Sequence, residues 1–401
     1  MRTLDTLSLS GKKVFIRVDF NVPLDAQFQV TDDTRIRAAV PTIEKILAAG
    51  GAVILASHLG RPKGGPEDKY SLRHIVPAVS SALGRPIQFV SDCIGPKAEA
   101  AAAQLKAGEV LLLENVRFYP EEEKGDQSFA ASLSRLADVY VNDAFGTAHR
   151  RHASTAVMAE FFPEHKALGL LMEAEVKAIS KVLKDAARPF VAVVGGAKVS
   201  SKMAILENLL EKVDTFIIGG GMVFTFIRAQ GGQTGNSLVE EEMIGVAADL
   251  LTRCQQLGKK VYLPSDAVCS TQFSNDGPTQ TFPTHAIPEG WMGLDIGPEA
   301  VKEFREVLMN AGTILWNGPM GVFEMSSFEA GTLGVAEAIG DATQLKNAYS
   351  LVGGGDSVAA VNQFQQAERV SYVSTGGGAM LEFMEGRVLP GVAAVLDGSA
   401  S

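Results

Sequence analysis

The chain has 401 residues, enough for two domains that each bury a hydrophobic core. Apolar residues make up 46% of the sequence and charged residues 20%, as in an ordinary soluble globular protein. The net charge of −10 comes without a basic tract, which argues against a nucleic-acid-binding protein.

The charge is distributed unevenly. Residues 1–172 contain 20 basic and 20 acidic residues, whereas residues 173–401 contain 16 and 26, so an anion site requires a local cluster of basic side chains. No apolar stretch is long enough to cross a bilayer, and we expect no membrane partner. Cys93, Cys254 and Cys269 lack metal-site spacing, so a reducing cytoplasm is the expected setting.

Four apolar runs in the first part of the chain are typical of buried parallel strands. They cover residues 13–18, 52–56, 110–113 and 139–141, and a helix is predicted over 34–47. Segments with polar side chains follow the first two runs: Asp19-Phe20-Asn21 after the first, and Ser57-His58-Leu59-Gly60-Arg61 after the second. Asp19 and Asn21 are compatible with a turn or a ligand site, and His58 with a structural or a functional role.

Four arginines share one kind of position, just after a predicted strand or at a helix start: Arg35, Arg61, Arg117 and Arg150. Because the C-terminal ends of parallel strands meet at one edge, we expect all four to face one crevice. Guanidinium groups bind carboxylate and phosphate in bidentate fashion, so the substrate should be small and densely anionic. Four unrelated surface ion pairs explain each arginine singly, but not their common placement.

Residues 170–184 have the apolar spacing of a helix, and we place a domain boundary along it. The sequence predicts an N-terminal domain over 1–170, a linker helix over 171–188 and a C-terminal domain over 189–385. Further helices are predicted over 203–211 and 238–257, strands over 261–264 and 313–316, and a loop or irregular sheet over 270–297.

Four apolar runs of the second domain end in glycine-rich turns. The turns are Gly195-Gly196, Gly219-Gly220-Gly221, Gly353-Gly354-Gly355-Asp356-Ser357 and Gly376-Gly377-Gly378. Glycine lets backbone N–H groups approach a phosphate closely, so together the turns predict one long, nucleotide-like polyanion. Lys198 and Lys202 should share a face of the helix predicted after the first turn. Asp356 is a candidate helix N-cap and a candidate ligand of phosphate-bound Mg²⁺.

The fold class that follows is α/β, with two doubly wound, Rossmann-like parallel-sheet domains that face a central cleft and are joined by a hinge helix. Neither the P-loop pattern nor the G-x-G-x-x-G fingerprint occurs, which disfavours P-loop enzymes and dinucleotide-dependent dehydrogenases.

Several segments together resemble the phosphoglycerate kinase family over essentially the whole chain. The matching segments are Arg17 to Pro23, Ser57 to Pro62, Asn142 to Arg150, Gly195 to Val199, Trp316 to Glu324 and Ser374 to Ala379. The resemblance implies reversible phosphoryl transfer between 1,3-bisphosphoglycerate and Mg·ADP, giving 3-phosphoglycerate and ATP. It also implies a monomer, and a C-terminal segment (386–401) that packs back on the first domain.

On matching positions, the resemblance assigns the glycerate substrate to Asp19, Phe20, Asn21, Arg35, His58, Leu59, Gly60, Arg61, Arg117 and Arg150. It assigns the nucleotide to Gly195, Gly196, Lys202, Gly219 to Gly221, Asn317, Glu324 and Gly353 to Ser357, with Asp356 on the metal. Lys198, Arg35 and the N–H groups of Gly376, Gly377 and Gly378 would neutralise the moving phosphoryl group. Ser357, Arg151 and Ser265 depart from the usual family residues without removing a charge from the site.

This chemistry needs no general base, because the acceptor is a phosphate oxygen in one direction and a carboxylate in the other. Alignment and charge stabilisation suffice, and closure of the two domains is expected to bring the substrates together. A catalytically silent nucleotide- or polyanion-binding protein on the same scaffold is the alternative. It predicts the loss of a transition-state group, whereas Lys198 and Arg35 are both present.

Overall fold

The computed structural model describes residues 2–396, which form two compact units. One unit comprises the described residues up to Lys177 together with those from Arg387 onward, and the other comprises Ala178–Gly386. The first division lies inside the helix Leu170–Lys184, whose predicted limits are confirmed. Within residues 2–396, no helix is both long and apolar enough to span a membrane.

Within the described residues, the first unit is built on a six-stranded sheet whose neighbouring strands are all parallel. Its strands are β1 (Lys13–Arg17), β2 (Ala52–Ala56), β3 (Gln88–Val90), β4 (Val110–Leu113), β5 (Val139–Asn142) and β6 (Lys166–Leu168). The spatial order is β3-β4-β2-β1-β5-β6. The chain winds from β1 towards one edge and then from β5 towards the other, so the winding direction reverses between β1 and β5.

Helices follow the strands of this unit because apolar residues recur every three or four positions along them. In α1, for example, Ile36, Ile43 and Leu47 are buried against the sheet core. The helices are α1 (Thr34–Ala48), α2 (Val76–Leu83), α3 (Gly95–Gln104), α4 (Pro120–Lys124), α5 (Gln127–Ser134) and α6 (Leu170–Lys184).

Within Ala178–Gly386, the second unit repeats the plan with a parallel sheet in the order β10-β8-β7-β15-β16-β17. Winding reverses here between β7 and β15. The strands of the unit are β7 (Phe190–Val194), β8 (Thr215–Ile218), β9 (Gln233–Thr234), β10 (Lys260–Tyr262), β11 (Asp266–Ser270), β12 (Thr279–Pro283), β13 (Ala286–Ile287), β14 (Met292–Ile296), β15 (Thr313–Asn317), β16 (Tyr349–Val352) and β17 (Tyr372–Val373).

The remaining strands of the second unit form small sheets. Strands β12, β11 and β14 make an antiparallel sheet with a register shift at Val268/Cys269, so the irregular sheet predicted over 270–297 is present. The helices are α7 (Met203–Leu209), α8 (Val223–Ala229), α9 (Ile244–Gln256), α10 (Pro298–Leu308), α11 (Ala330–Lys346), α12 (Gly355–Gln363) and α13 (Gly378–Met384).

In this unit one helix prediction is wrong and a second is confirmed only in part. Lys198 and Lys202 precede α7, which begins at Met203, so they lie in the loop after β7 and share no helical face. The helix predicted over 238–257 begins only at Ile244, after a short 3₁₀ turn over Glu241–Met243. In both cases side chains of the segment bond to other parts of the unit, which favours an irregular backbone. Ser200, for instance, binds Glu240 through both its hydroxyl and its N–H group.

The last helix, α14 (Pro390–Leu396), packs on the first unit. Gly391 N–H donates to the Ala148 carbonyl at 2.8 Å, and Asn142 Nδ2 donates to the Gly391 carbonyl at 3.1 Å. Val392 and Val395 are buried. The predicted C-terminal segment, as far as Leu396, thus adds to the core beside β5 and β6. Its residues 397–401 lie outside the described residues.

Replacing Val395 by Ala should therefore destabilise the first unit by about 2 kcal/mol, because the side chain is fully buried and its loss leaves a cavity. Urea unfolding measures the change. Val388→Ala is the matched control, since Val388 is 57% exposed and should change stability by less than about 0.5 kcal/mol. Equal effects of the two substitutions would contradict the packing described for α14.

Candidate phosphoryl-transfer site

The first group of predicted residues meets where β1 and β2 end. Asp19 Oδ2 accepts a hydrogen bond from Arg35 Nη1 at 3.2 Å, and the Asn21 carbonyl accepts from the same nitrogen at 3.1 Å. Asn21 Oδ1 accepts from Gly60 N–H at 2.8 Å, and Arg117 Nη1 donates to the Gly60 carbonyl at 3.2 Å. One hydrogen-bond network therefore orients two arginines, an aspartate and an asparagine.

His58 is buried beside this network. Arg17 Nη2 lies 3.3 Å from His58 Nδ1, and the same ring nitrogen lies 4.0 Å from Asp19 Oδ1. Burial, followed by the charges of Arg17 and Arg117, holds the pKa of His58 well below its usual range. The imidazole is therefore neutral at physiological pH and acts as a hydrogen-bonding group rather than a further cation.

Arg61 and Arg150 lie at the same edge of the chain's first sheet but are exposed. Neither guanidinium has a hydrogen bond or ion pair with another residue in the described range 2–396. Arg151, the unusual neighbour of Arg150, is exposed and forms an ion pair of 2.9 Å with Glu160. Of these two neighbouring arginines, Arg150 is the one whose side chain has no partner within residues 2–396.

Phe20 and Leu59 differ from the other predicted residues because their side chains are part of the hydrophobic core. Their backbones connect the site segments: Phe20 N–H donates to Ser57 Oγ at 2.8 Å, and Asn115 Nδ2 donates to the Leu59 carbonyl at 2.8 Å. Both residues hold the loops in place rather than present a side chain to a ligand.

The second group of predicted residues lies in the turns that follow β7, β8 and β15, and backbone hydrogen bonds hold these turns together. Gly195 N–H donates to the Asn317 carbonyl at 2.9 Å, and Gly220 N–H to the Met320 carbonyl at 3.0 Å. Gly220 has φ of +69°, and a Cβ there would lie 2.5 Å from the Gly196 carbonyl oxygen. Only glycine fits this position without rearrangement. Gly219 and Gly221 flank it in the same turn.

Lys202 links the first and third glycine turns. Its Nζ donates to Asn317 Oδ1 at 2.6 Å, and Asn317 Nδ2 donates to the Gly353 carbonyl at 2.7 Å. Burial lowers the pKa of Lys202, while the nearby charge of Asp356 opposes the shift. The ammonium group is thus held close to the glycine-rich backbone, where it favours an anion.

Asp356 and Ser357 occupy the first turn of α12. The N-cap of this helix is Gly354, with φ of +95°, so Asp356 is not the cap that the sequence allowed. Its carboxylate is exposed, as is Gly355. The Ser357 hydroxyl accepts a hydrogen bond of 2.5 Å from Gly318 N–H, which ties α12 to the turn after β15.

Lys198 is exposed in a loop anchored by Glu240. The Glu240 carboxylate accepts from Ser200 N–H at 3.0 Å and from Ser200 Oγ at 2.5 Å, while its own N–H donates to Thr225 Oγ1 at 3.1 Å. Glu324 is also exposed and has no hydrogen-bond partner among the described residues.

The last glycine turn leads into α13. Gly376 N–H donates to Ser374 Oγ at 3.1 Å, and its carbonyl accepts from Ala379 N–H at 2.9 Å. Gly377 has φ of +48° and precedes the first residue of the helix, Gly378. The N–H groups of Gly377 and Gly378 make no hydrogen bond with residues 2–396, so both are available to a ligand oxygen.

Residues that hold the predicted side chains in place were not recognised as such from the sequence: Arg17, Glu122, Ser154 and Glu240. Arg17 offered one signal, because a charged residue that ends an otherwise apolar strand needs a buried partner. The others belong to an acidic run, a loop and a loop end, where solvated side chains are the usual interpretation.

A cavity of about 850 Å³ in the second unit lies away from both groups. It is lined by residues at the beginnings of strands, including Pro189, Thr215 and Lys260, and contains none of the predicted site residues. In doubly wound folds ligands bind at the opposite, C-terminal edge, so we assign it no part in the site.

Two doubly wound sheets, with arginines at the strand ends of one and glycine turns at those of the other, define an α/β phosphotransferase. A family model described as phosphoglycerate kinase matches residues 4–387. The chain belongs to the phosphoglycerate kinase family, a family of kinases whose acceptor is a carboxyl group. Membership does not favour the alternative of a catalytically silent binding protein.

Relatives and solved structures agree with this assignment. The chain is 52% identical to phosphoglycerate kinase of Porphyromonas gingivalis over 418 residues, covering 98% of this chain and 99% of that one. It is 53% identical to the Moorella thermoacetica enzyme, covering 98% and 99%. The solved phosphoglycerate kinase of Coxiella burnetii has a TM-score of 0.91 at 38% identity and covers 98% of each chain.

His152 gives a pH-dependent prediction for the first unit. Burial, followed by the charges of Arg117 and Arg17, lowers the pKa of His152 to about 4, from 6.5. Between pH 6.5 and 4 the unfolded chain binds a proton that the folded chain does not, so acidification destabilises the fold. His152→Gln lacks this contribution. As the pH is lowered from 6.5 to 4, the unfolding free energy of the variant should therefore fall less steeply than that of the unsubstituted chain, and the two slopes should differ by roughly 1.4 kcal/mol per pH unit.

Urea unfolding at several pH values measures the slope. His285→Gln, at an exposed position of the second unit, is the control and should retain the slope of the unsubstituted chain. Parallel slopes for His152→Gln and the control would contradict the account.

Proposed function

We propose that the chain catalyses reversible phosphoryl transfer between 1,3-bisphosphoglycerate and Mg·ADP, yielding 3-phosphoglycerate and ATP. The main support for this proposal is the position of the two groups of residues. The arginine network lies at the C-terminal edge of one sheet, and the glycine turns, which are hydrogen-bonded to one another, lie at the C-terminal edge of the other. A small, densely charged glycerate phosphate suits the first group, and a nucleotide polyphosphate suits the second.

In the first unit, Arg35, Arg61, Arg117 and Arg150 supply the positive charge that binds the substrate phosphate and carboxylate. Asp19 and Asn21 set the direction of Arg35 through the hydrogen bonds described above and offer acceptors to a substrate hydroxyl. Neutral His58 adds a hydrogen-bond donor without further repulsion among the arginines. Phe20, Leu59 and Gly60 fix the two loops that carry these groups.

In the second unit, the turns at Gly195-Gly196, Gly219 to Gly221 and Gly353 to Gly355 give a nucleotide close access to the backbone. Lys202 and Asn317 lie beside the phosphate path, Ser357 holds α12 in place, and Glu324 offers an acceptor to the ribose. Mg²⁺ fits the free carboxylate of Asp356, because oxygen ligands and nucleotide phosphates are what it prefers. When bound, the ion neutralises charge on the phosphate oxygens.

For the transfer itself, Lys198, Arg35 and the free N–H groups of Gly377 and Gly378 stabilise the moving phosphoryl group, whereas the Gly376 N–H is already bonded to Ser374 Oγ. Its charge is spread over three oxygens in the transition state, and preorganised donors act best where water is excluded. No side chain has to remove a proton. The contribution of the protein is to align two substrates and to bind the charge between them.

We further propose functional domains over 1–170 with 386–401, and over 189–385, with 171–188 as the linker. A cytoplasmic monomer without nucleic-acid partners fits the acidic charge and the three buried, unpaired cysteines. Relatives include proteins named as chloroplastic and as cytosolic, so the location of this chain is part of the proposal.

Lys198→Ala should lower turnover much more than nucleotide affinity, because the lysine charge matters most when the phosphoryl group is between the substrates. A coupled assay with 3-phosphoglycerate and MgATP measures both. Lys346→Ala removes an exposed lysine at the end of α11 and should behave like the unsubstituted chain. Near-normal turnover with only a raised KM for ATP would refute this role for Lys198.

Arg61→Ala should weaken 3-phosphoglycerate binding by about 2 kcal/mol, roughly thirtyfold, while ADP affinity stays nearly constant. The reason is that Arg61 belongs to the first unit and the glycine turns to the second. Calorimetry with each ligand alone provides the two constants. Arg135→Ala, an exposed arginine of the same unit, is the control. An equal loss of ADP affinity in Arg61→Ala would show that the ligands are not divided between the units as proposed.

A further inference from the structure

A buried carboxylate, Glu122, lies behind the arginine network. It belongs to α4 and is fully buried, unlike its neighbours Glu121 and Glu123. Glu122 Oε1 accepts a hydrogen bond of 2.5 Å from Ser154 Oγ, and Oε2 accepts one of 2.9 Å from Ser154 N–H. Burying a carboxylate costs free energy because its charge loses hydration, and a buried positive charge nearby is needed to offset that cost.

That charge is Arg17, and Ser154 connects the two. Arg17 Nε donates to Ser154 Oγ at 2.7 Å, and Arg17 Nη1 donates to the Val18 carbonyl. Because the Ser154 hydroxyl donates to Glu122, its lone pairs face Arg17. The guanidinium is thus fixed by two acceptors, and its Nη2 is directed at His58 Nδ1, 3.3 Å away.

The direction of Arg17 determines the proton position on His58. A guanidinium has donors only, so the contact of 3.3 Å is a hydrogen bond only when His58 Nδ1 carries no proton. The ring proton then resides on Nε2, which has no hydrogen-bond partner among the described residues. Asp19 Oδ1, 4.0 Å from Nδ1, favours the opposite tautomer. Arg17 and Asp19 therefore favour different positions of the ring proton, and Arg17 is the closer of the two to Nδ1.

We propose that Glu122 and Ser154 are positioning residues that act through Arg17 to keep the proton of His58 on Nε2. In this tautomer His58 presents an N–H donor to the anionic substrate, instead of a lone pair that would repel it. If Arg17 turns away, Asp19 draws the proton to Nδ1 and the donor is lost. The benefit to substrate binding rests on the proposed function, whereas the tautomer itself does not.

The tautomer is read from the ¹⁵N chemical shifts of the full chain labelled at histidine, without substrate. The chain has six histidines, and His58→Gln identifies the resonances of His58. We expect Nε2–H to dominate in the unsubstituted chain and Nδ1–H to gain population in Ser154→Ala. Glu122→Gln should shift the ratio in the same direction. Ser154→Thr keeps the hydroxyl and should restore the original ratio.

Glu114→Gln is the control that tells a positioning role of Glu122 from a contribution to stability alone. Glu114 is another buried carboxylate of the first unit and accepts from a serine hydroxyl, Ser71 Oγ, at 2.7 Å and from Leu72 N–H at 2.8 Å. Its loss should lower stability without moving the His58 ratio. An unchanged ratio in Ser154→Ala and Glu122→Gln, or an equal change in Glu114→Gln, would overturn the proposal.

Binding provides the second readout. In Ser154→Ala the dissociation constant of 3-phosphoglycerate should rise about tenfold, the value of one hydrogen bond, with ADP affinity unchanged. A shifted tautomer with unchanged 3-phosphoglycerate affinity would overturn the link to substrate. If the unsubstituted chain bound no 3-phosphoglycerate, the proposed function would fail, while the tautomer ratios would still decide the role of Glu122 and Ser154.

Discussion

The reversal of winding direction in each parallel sheet is the constraint on which the candidate site depends. In both sheets the reversal lies beside the strand that begins the unit, β1 in the first and β7 in the second. The chain leaves the two neighbouring strands in opposite directions there, which opens a crevice at the carboxyl ends. Asp19 follows β1 and Gly195 follows β7, so both groups of site residues lie where the topology leaves space.

The two units use this space with different chemistry. The first concentrates guanidinium groups and then keeps His58 and His152 neutral by burying them among those charges. The second presents backbone N–H groups in its glycine turns, and its proposed side-chain charges are those of Lys198 and Lys202. Each solution suits its proposed ligand: a compact anion requires point charges in a fixed geometry, whereas an extended polyphosphate requires close approach along the backbone.

Much of this arrangement was predictable from local sequence. Strands such as β2 and β4 are unbroken apolar runs bounded by polar or glycine residues, so their limits at 52–56 and 110–113 were predicted correctly. The placement of Lys198 was not, because a helical pattern continues through residues whose backbone is instead held by Glu240, 40 positions away. Buried hydrogen-bond networks such as the one that joins Glu122, Ser154 and Arg17 also could not be predicted from the sequence. Their members are distant in the chain, and Glu122 is indistinguishable from its two solvated neighbours.

Each unit is proposed to bind one substrate, and hydrogen exchange of the intact chain tests this division most directly. With 3-phosphoglycerate alone, we expect slower exchange in peptides covering 17–21, 57–61 and 115–118. With ADP alone, slower exchange should appear in 195–202, 219–221 and 353–357. Protection of the same peptides by both ligands, or protection of the first unit by ADP alone, would contradict the division of substrates between the two sheets.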